Sequence, residues 1–263
     1  MIVDGKQIAK DIKLSLKRII KKKRLKLCVA VVYVGDDPVI NSFVLRKQRF
    51  GRSIGVQVDM FRFDHNFNQE SLEKFLNDLA TDNRYQGIVV QLPLPKEIDE
   101  EKILSLVPRE KDIDVLSGSE IDIVSPVAGA AAEVLIRNNI DLVSKSVLVV
   151  GHGRLVGQPI VGWLRKIGVE PTIVDETVGD LKKFTKEADI IFSGAGQPSL
   201  ITKDMVREGV VLIDAGTSSS EGVLLGDVDK ECVDVASLMT PTPGGIGPIT
   251  VAVLFKNLVE LSI

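Results

Sequence analysis

The stretch that decides the fold is Val147-Leu148-Val149-Val150-Gly151-His152-Gly153-Arg154-Leu155-Val156-Gly157-Gln158-Pro159. Its first four residues are apolar and mostly β-branched, which predicts a buried parallel strand. Apolar residues then recur at helical spacing, at Ile160, Trp163, Leu164 and Ile167. A strand that runs through glycines into a helix presents backbone N–H groups and a positive dipole end, which suits a pyrophosphate. The stretch therefore predicts a nucleotide-binding turn, although a strand-to-helix turn without a ligand has the same pattern.

The glycines of this turn follow a Gly-x-Gly-x-x-x-Gly spacing, one residue wider than the commonest dinucleotide fingerprint. We expect Gly151, Gly153 and Gly157 to bind the cofactor. His152 and Arg154 lie between these glycines and are included as cofactor-binding candidates. A single histidine in a turn can equally be a bystander.

The next predicted strand, 171–174, ends in Asp175-Glu176, the position at which a ribose-binding acid is expected. A carboxylate there accepts hydrogen bonds from a ribose 2′-hydroxyl and repels a 2′-phosphate. The cofactor is therefore predicted to be NAD or NADP, with NAD slightly favoured. The alternative is that Asp175 only caps the turn that follows.

Composition limits the class of protein. The chain has 263 residues, of which 44% are hydrophobic and 26% charged, with a formal net charge of −3. These values are ordinary for a globular protein and give no overall positive field for nucleic acid or a membrane surface. No signal segment or membrane-spanning run is evident, so we expect a cytoplasmic protein.

Cysteine and histidine are scarce, with two of each. Cys28 and Cys232 are far apart and have no metal-ligand spacing, which favours reduced thiols. With only His65 and His152, the sequence does not favour a histidine-rich metal site or a serine–histidine catalytic triad. We therefore expect no bound metal.

Helices and strands alternate along both halves of the chain, which predicts an α/β fold with parallel sheets. Strands are predicted at 27–34, 56–63 and 87–91 in the first half and at 146–150, 171–174, 189–193 and 210–214 in the second. The second set is typical of a Rossmann-like, doubly wound domain. We predict a first domain at 1–122, joined by a C-terminal helix at 247–263, a nucleotide-binding domain at 123–246, and a cleft between them.

Three polar residues are candidates for chemistry. Lys47 follows Phe43 by one helical turn on a partly apolar face, where a lysine can lose its charge by desolvation or simply extend to the surface. Gln91 ends an apolar strand at the edge where open α/β sheets bind ligands. Asp114, in a charged loop, could grip a planar pair of donors or remain solvated.

Taken together, these positions resemble a known family. The motifs that carry the resemblance are Val34-Gly35-Asp36-Asp37-Pro38 with Lys47, Gln91-Leu92-Pro93-Leu94-Pro95, Lys111-Asp112-Ile113-Asp114, Gly226-Asp227-Val228-Asp229 and 241–250, PTPGGIGPIT. In this order they resemble the methylenetetrahydrofolate dehydrogenase/methenyltetrahydrofolate cyclohydrolase proteins, nearly from end to end.

The resemblance implies an activity and roles for residues. The family oxidises 5,10-methylenetetrahydrofolate with a nicotinamide cofactor and hydrolyses the product to 10-formyltetrahydrofolate. It implies that Lys47 is the central catalytic group, Gln91 its orienting partner and Asp114 the group that binds the pterin edge. It further implies that Phe43 stacks on the folate. The other implied substrate-binding residues, whose backbone would approach the folate ring, are Pro243, Gly244 and Gly245. A homodimer is also implied.

The chain departs from the family pattern at several positions. Phe43 stands where the family has tyrosine, Val115 where it has glycine, and His152 and Gly153 where it has Arg-Ser. The family's Pro-Cys-Thr-Pro segment is poorly kept around 125–129. These departures leave open a dehydrogenase-only variant that uses NAD, or a non-catalytic folate- or nucleotide-binding relative. A dehydrogenase for another substrate, of the amino-acid or shikimate type, is a further alternative.

Overall fold

A computed structural model describes residues 1–64, 67–118, 122–175, 178–220 and 223–263. The helices are α1 (Gly5–Lys23), α2 (Pro38–Ile54), α3 (Gln69–Thr81), α4 (Glu100–Ser105), α5 (Pro126–Arg137), α6 (Gly157–Lys166), α7 (Leu181–Glu187) and α8 (Ile246–Leu261). The strands are β1 (Cys28–Val34), β2 (Gln57–Phe63), β3 (Gly87–Val90), β4 (Val147–Val150), β5 (Thr172–Val174), β6 (Ile190–Ser193), β7 (Val211–Asp214), β8 (Ser218–Ser220), β9 (Val223–Leu225) and β10 (Leu238–Met239). Among these described elements, none combines the length and apolar character needed to cross a membrane.

The chain forms two compact units, which confirms the predicted two-domain α/β fold with parallel sheets. The three-stranded unit contains Lys10–Pro126 and Val251–Ile263, and the five-stranded unit contains Met1–Ala9 and Val127–Thr250. The first nine residues thus differ from the predicted division, which assigned them to the first domain. The reason is backbone pairing, because Val3 N donates to Met239 O at 2.9 Å and Met239 N donates to Met1 O at 2.9 Å.

The three-stranded sheet has the order β2-β1-β3 with all strands parallel. Every residue of β3 and all but the first of β1 are buried, as their unbroken apolar sequences predict. Asp37 begins α2 by accepting hydrogen bonds from Val39 N at 2.7 Å and Ile40 N at 3.0 Å. Gly55 ends α2 in the left-handed conformation, with φ of 89°. The first family motif therefore fixes where α2 starts, and Gly55 fixes where it ends.

The loop that carries Asp114 is anchored at two points. The Lys111 ammonium, 9% exposed, donates to the carbonyls of Ala80 at 2.8 Å and Asp82 at 2.9 Å, at the end of α3. Asn257 of α8 donates from Nδ2 to Ile113 O at 3.0 Å. A cation at a helix carboxyl end satisfies carbonyls that have no partner within the helix. These bonds hold the backbone on both sides of Asp112.

The five-stranded sheet has the order β10-β7-β6-β4-β5 and is also parallel throughout. β5 and β6 lie on opposite sides of β4, so the winding direction reverses at β4, as in a doubly wound fold. A separate antiparallel hairpin, β8–β9, was not predicted from the sequence. Each strand has only three residues and β8 consists of serines, so the pair lacks the longer apolar pattern on which strand prediction depends.

Replacing Lys111 tests the anchoring of this loop. We expect Lys111→Met to lower the free energy of unfolding by about 2–3 kcal/mol, because buried carbonyls lose a charged donor. The exposed Lys26 is the matched control, and Lys26→Met should change stability by less than about 0.5 kcal/mol. Urea unfolding followed by circular dichroism measures both. Equal stability of the two variants would contradict the anchoring role.

Candidate active site

Lys47, Gln91 and Asp114 come together in the three-stranded unit, although they are far apart in sequence. Lys47 Nζ donates to Gln91 Oε1 at 3.0 Å and lies 3.5 Å from Asp114 Oδ2. The Lys47 and Asp114 side chains are 14% and 19% exposed, so this ion pair is mostly shielded from water. Partial burial strengthens an ion pair relative to one on the surface.

Gln91 is held in a fixed orientation. Its backbone N–H donates to Val32 O at 2.8 Å, which extends the β1–β3 ladder by one residue. Its Nε2 donates to Leu92 O at 2.8 Å, which leaves Oε1 directed at Lys47. The peptide bond between Leu92 and Pro93 is cis. The glutamine therefore orients the ammonium, and the cluster presents a fixed cation beside a carboxylate.

Phe43 lies one turn before Lys47 on α2 and is partly buried. The guanidinium carbon of Arg46 is 5.5 Å from the centre of the Phe43 ring. Phe43 has no hydroxyl to form a hydrogen bond with Lys47, and the structure gives this ammonium Gln91 and Asp114 as partners. An apolar ring beside a cation provides a flat surface for stacking.

Val115 follows Asp114 with φ of 57°, in the left-handed region. This conformation is strained for a β-branched residue and free of strain for glycine. The family pattern has glycine here, a residue that adopts this left-handed bend without strain. Asp112 is buried beside this bend, where it accepts the N–H of Ser117 at 2.8 Å, and burial raises the pKa of its carboxyl.

Pro243, Gly244 and Gly245 belong to the five-stranded unit. The Thr242–Pro243 peptide is cis, Gly244 has φ of 108°, and Gly245 N donates to Pro241 O at 2.7 Å. These residues form a tight turn with exposed or half-exposed backbone at Pro243 and Gly244. Their predicted contact with folate stays a prediction.

The glycine turn has the shape that a pyrophosphate requires. Gly151 has φ of 85°, and a Cβ there would lie 2.7 Å from Gly194 O. A Cβ on Gly157 would overlap Gly151 O, whereas Gly153 faces open space. α6 begins at Gly157 without a side-chain cap. Gln158 N donates to Gly153 O at 3.1 Å and Pro159 has no N–H, so this helix end favours an anion mainly through the positive end of its dipole. The turn therefore fits a dinucleotide.

The other cofactor candidates lie around this turn. His152 is exposed, Arg154 is partly buried, and Asp175 is exposed directly after β5. Glu176 lies outside the described residues. The position of Asp175 at the carboxyl end of the neighbouring strand is the one expected for an acid that binds a ribose hydroxyl.

Sequence reasoning missed a pair of buried carboxylates at the same edge of the five-stranded sheet. Asp214 ends β7 and is 1% exposed, and Asp227 is fully buried. Burial raises the pKa of Asp214 to about 7, opposed by the hydrogen bond from Val228 N and reinforced by the Asp227 carboxylate. The motif 226–229 was visible in the sequence, but nothing in its pattern showed that its first aspartate is buried.

The two thiols have no evident chemical role. Burial raises the pKa of Cys28 and of Cys232 to about 11, so both are protonated at neutral pH. Among the described residues, no group of three or more His, Cys, Asp or Glu side chains is placed to bind a metal ion.

The fold and these two sites define a two-domain α/β protein with a Rossmann-like nucleotide-binding unit. The tetrahydrofolate dehydrogenase/cyclohydrolase catalytic-domain model matches residues 3–114, and the NAD(P)-binding-domain model of the same family matches residues 125–262. The chain belongs to the tetrahydrofolate dehydrogenase/cyclohydrolase family.

Relatives cover the chain almost completely. The bifunctional protein FolD of Clostridium novyi is 35% identical over 98% of this chain and 98% of its own length. The bifunctional protein FolD of Staphylococcus aureus is 36% identical over 97% of this chain and 94% of its own. The match therefore extends through both units.

Solved structures agree. The FolD dehydrogenase/cyclohydrolase of Campylobacter jejuni has a TM-score of 0.93 at 33% identity, over 100% of this chain and 98% of its own. The Trypanosoma brucei enzyme, complexed with NADP and an inhibitor, has a TM-score of 0.91 at 30% identity, over 99% and 96%. A shikimate dehydrogenase from Thermus thermophilus has a TM-score of 0.53 at 16% identity, over 90% of this chain and 98% of its own, which shows a shared fold alone.

Proposed function

We propose that this protein oxidises 5,10-methylenetetrahydrofolate to 5,10-methenyltetrahydrofolate with NAD(P) and hydrolyses that product to 10-formyltetrahydrofolate. The observation that carries the proposal is the contact of Lys47 with Gln91 and Asp114 in a chain whose family has both activities in its name. The identity to bifunctional relatives favours this function over a non-catalytic relative or a dehydrogenase of the amino-acid or shikimate type.

Lys47 is the proposed centre of the hydrolysis. Water adds to the methenyl carbon and gives one proton to a base. The hydroxyl of the adduct then loses its proton as the C=O bond forms, the bond from that carbon to N5 breaks, and N5 takes up a proton, so that one proton is released overall. Lys47 accepts the proton from water in its neutral amine form and becomes the ammonium that donates to the amide oxygen of Gln91, which holds the nitrogen in position. A positioned base of this kind contributes a rate factor of about 10² to 10⁴.

Asp114 and Phe43 are the proposed folate-binding residues in the three-stranded unit. A carboxylate can accept two parallel hydrogen bonds from the amino-pyrimidinone edge of a pterin. Phe43 offers its ring face for stacking. Bound in this way, the methylene bridge would be held beside Lys47, and a bound NAD(P) would supply the hydride acceptor.

The function is tested by replacing Lys47. We expect Lys47→Met to lower kcat/KM for both reactions by at least about 100-fold, because the fixed amine is lost. Lys47→Arg keeps the positive charge but cannot accept a proton, so it should impair hydrolysis more than oxidation. Absorbance of the methenyl product measures its formation and decay, with Lys26→Met as the matched control. Turnover by Lys47→Met equal to that of the control would contradict the proposal.

Phe43 bears on the balance between the two activities. Because the phenylalanine cannot donate a hydrogen bond to Lys47, a dehydrogenase-dominant variant is the second candidate function. We expect Phe43→Tyr to raise hydrolysis by about threefold to tenfold relative to oxidation, since a new hydroxyl can hold the amine. Phe184→Tyr, in the other unit, is the control. An unchanged ratio of the two rates would count against this role.

NAD is the proposed preferred cofactor, supported by the exposed carboxylate of Asp175 at the end of β5. We expect Asp175→Ser to raise kcat/KM with NADP relative to NAD by about tenfold, because a repulsive charge and a ribose hydrogen bond are both removed. Asp204→Ser, at an exposed carboxylate elsewhere in the unit, should leave the ratio unchanged. Higher kcat/KM with NADP in the unaltered protein would refute the preference.

A homodimer and a cytoplasmic location also stay proposals. Cys28 and Cys232 are free thiols and lie in different units. Free thiols are compatible with a reducing compartment. Sedimentation of the purified chain as a monomer at micromolar concentration would contradict the dimer.

A further inference from the structure

The loop that follows β6 lies next to the glycine turn, at the point where the winding direction of the sheet reverses. Val150 and Ser193, the last residues of β4 and β6, are paired in register. Gly194 N donates to Val150 O at 2.8 Å, so the two chains leave the sheet side by side. Ligands of doubly wound sheets bind in the crevice at this reversal. The loop 194–197 therefore lies beside the glycine turn at the edge where a nucleotide is expected.

Asp227 fixes the backbone of this loop. Its Oδ2 accepts hydrogen bonds from Ala195 N at 2.7 Å and from Ser193 Oγ at 2.8 Å, and its Oδ1 accepts one from Gln197 N at 2.9 Å. Three donors on one carboxylate set the path of the chain from the end of β6 through the loop. Hydrogen bonds to a charged acceptor are the stronger ones in proteins.

The loop in turn is packed against the glycine turn. A Cβ built on Gly151 would lie 2.7 Å from Gly194 O and 2.8 Å from Ala195 N, so backbone touches backbone with no side chain between. At such a contact a displacement of Ala195 is transmitted to Gly151. The shape of the pyrophosphate site thus depends on where the loop is held.

Asp227 is itself held by Asp214. Asp227 N donates to Asp214 Oδ1 at 3.3 Å, Gly216 N donates to the same oxygen at 3.0 Å, and Val228 N donates to Asp214 Oδ2 at 3.2 Å. Side chains at Gly216 or Gly226 would overlap the carboxylates of Asp227 and Asp214, respectively. Because Asp227 has no exposed surface, it acts on a ligand through the loop and not by contact.

We propose that Asp227 is a positioning residue for the dinucleotide, which it serves by fixing loop 194–197 against the glycine turn. This inference rests on the proposed use of NAD(P). It predicts that loss of one acceptor oxygen weakens cofactor binding while the folate-binding cluster of the three-stranded unit is unaffected.

The test is Asp227→Asn in the full-length protein, with NADH and NADPH as probes in isothermal titration calorimetry. An amide nitrogen in place of one oxygen faces N–H or O–H donors and breaks at least one hydrogen bond. We expect the dissociation constant of the tighter dinucleotide to rise about tenfold or more. The KM for methylenetetrahydrofolate should change less than about twofold. Hydrogen exchange at the amides of Ala195 and Gln197 should accelerate.

Two further variants separate positioning from general damage. Asp229→Asn alters a carboxylate that caps the next turn through Glu231 N, and it should leave dinucleotide affinity unchanged. Ser193→Ala removes one donor to Asp227 and should weaken binding by a smaller factor, about twofold to fourfold, so it carries the test if Asp227→Asn does not fold. Unaltered dinucleotide affinity in Asp227→Asn, or in Ser193→Ala if that variant carries the test, would overturn this inference alone. Failure of the unaltered protein to bind either dinucleotide would overturn the proposed function as well.

Discussion

The direction of the strands is the constraint on which the rest depends. The two larger sheets are parallel, so within each of them the carboxyl ends of the strands lie at one edge. In the three-stranded unit Gln91 continues β3 at that edge, and in the five-stranded unit Gly151 and Gly194 follow β4 and β6. Backbone groups inside the sheets are satisfied by neighbouring strands, whereas the loops at this edge are free to bind other groups. The polar chemistry of both units is therefore concentrated there.

The buried charged side chains near these loops have hydrogen-bonding or ionic partners. Lys47 has an amide oxygen and a carboxylate, Lys111 has carbonyls at the end of α3, and Asp227 has backbone N–H groups and a hydroxyl. Removing a charge from water is unfavourable unless such partners replace the solvent. Each of these interactions also holds a loop in place. The hydrogen bonds that stabilise a buried charge therefore also make the binding site rigid.

Prediction from the sequence succeeded where local pattern decides structure. The apolar runs of β1, β3 and β4 were recognisable because a strand buried on both faces has no polar residues to interrupt it. The short β8–β9 pair and the pairing of Met1–Val3 with β10 were not, since pairings of so few residues depend on what lies beside them. Val115 is a second case in which local preference fails to predict the structure. Its positive φ is unfavourable for valine and is imposed by the surrounding loop.

The sequence alone determined the order of helices and strands, the glycine turn and the family motifs, because periodicity and backbone-specific residues act over a few neighbours. Tertiary structure decided that Lys47 donates to Gln91 and lies beside Asp114, and that Asp227 is buried beneath the loop after β6. These contacts join residues many positions apart. Their distances follow from how the strands are ordered and the loops are packed, which no local pattern encodes.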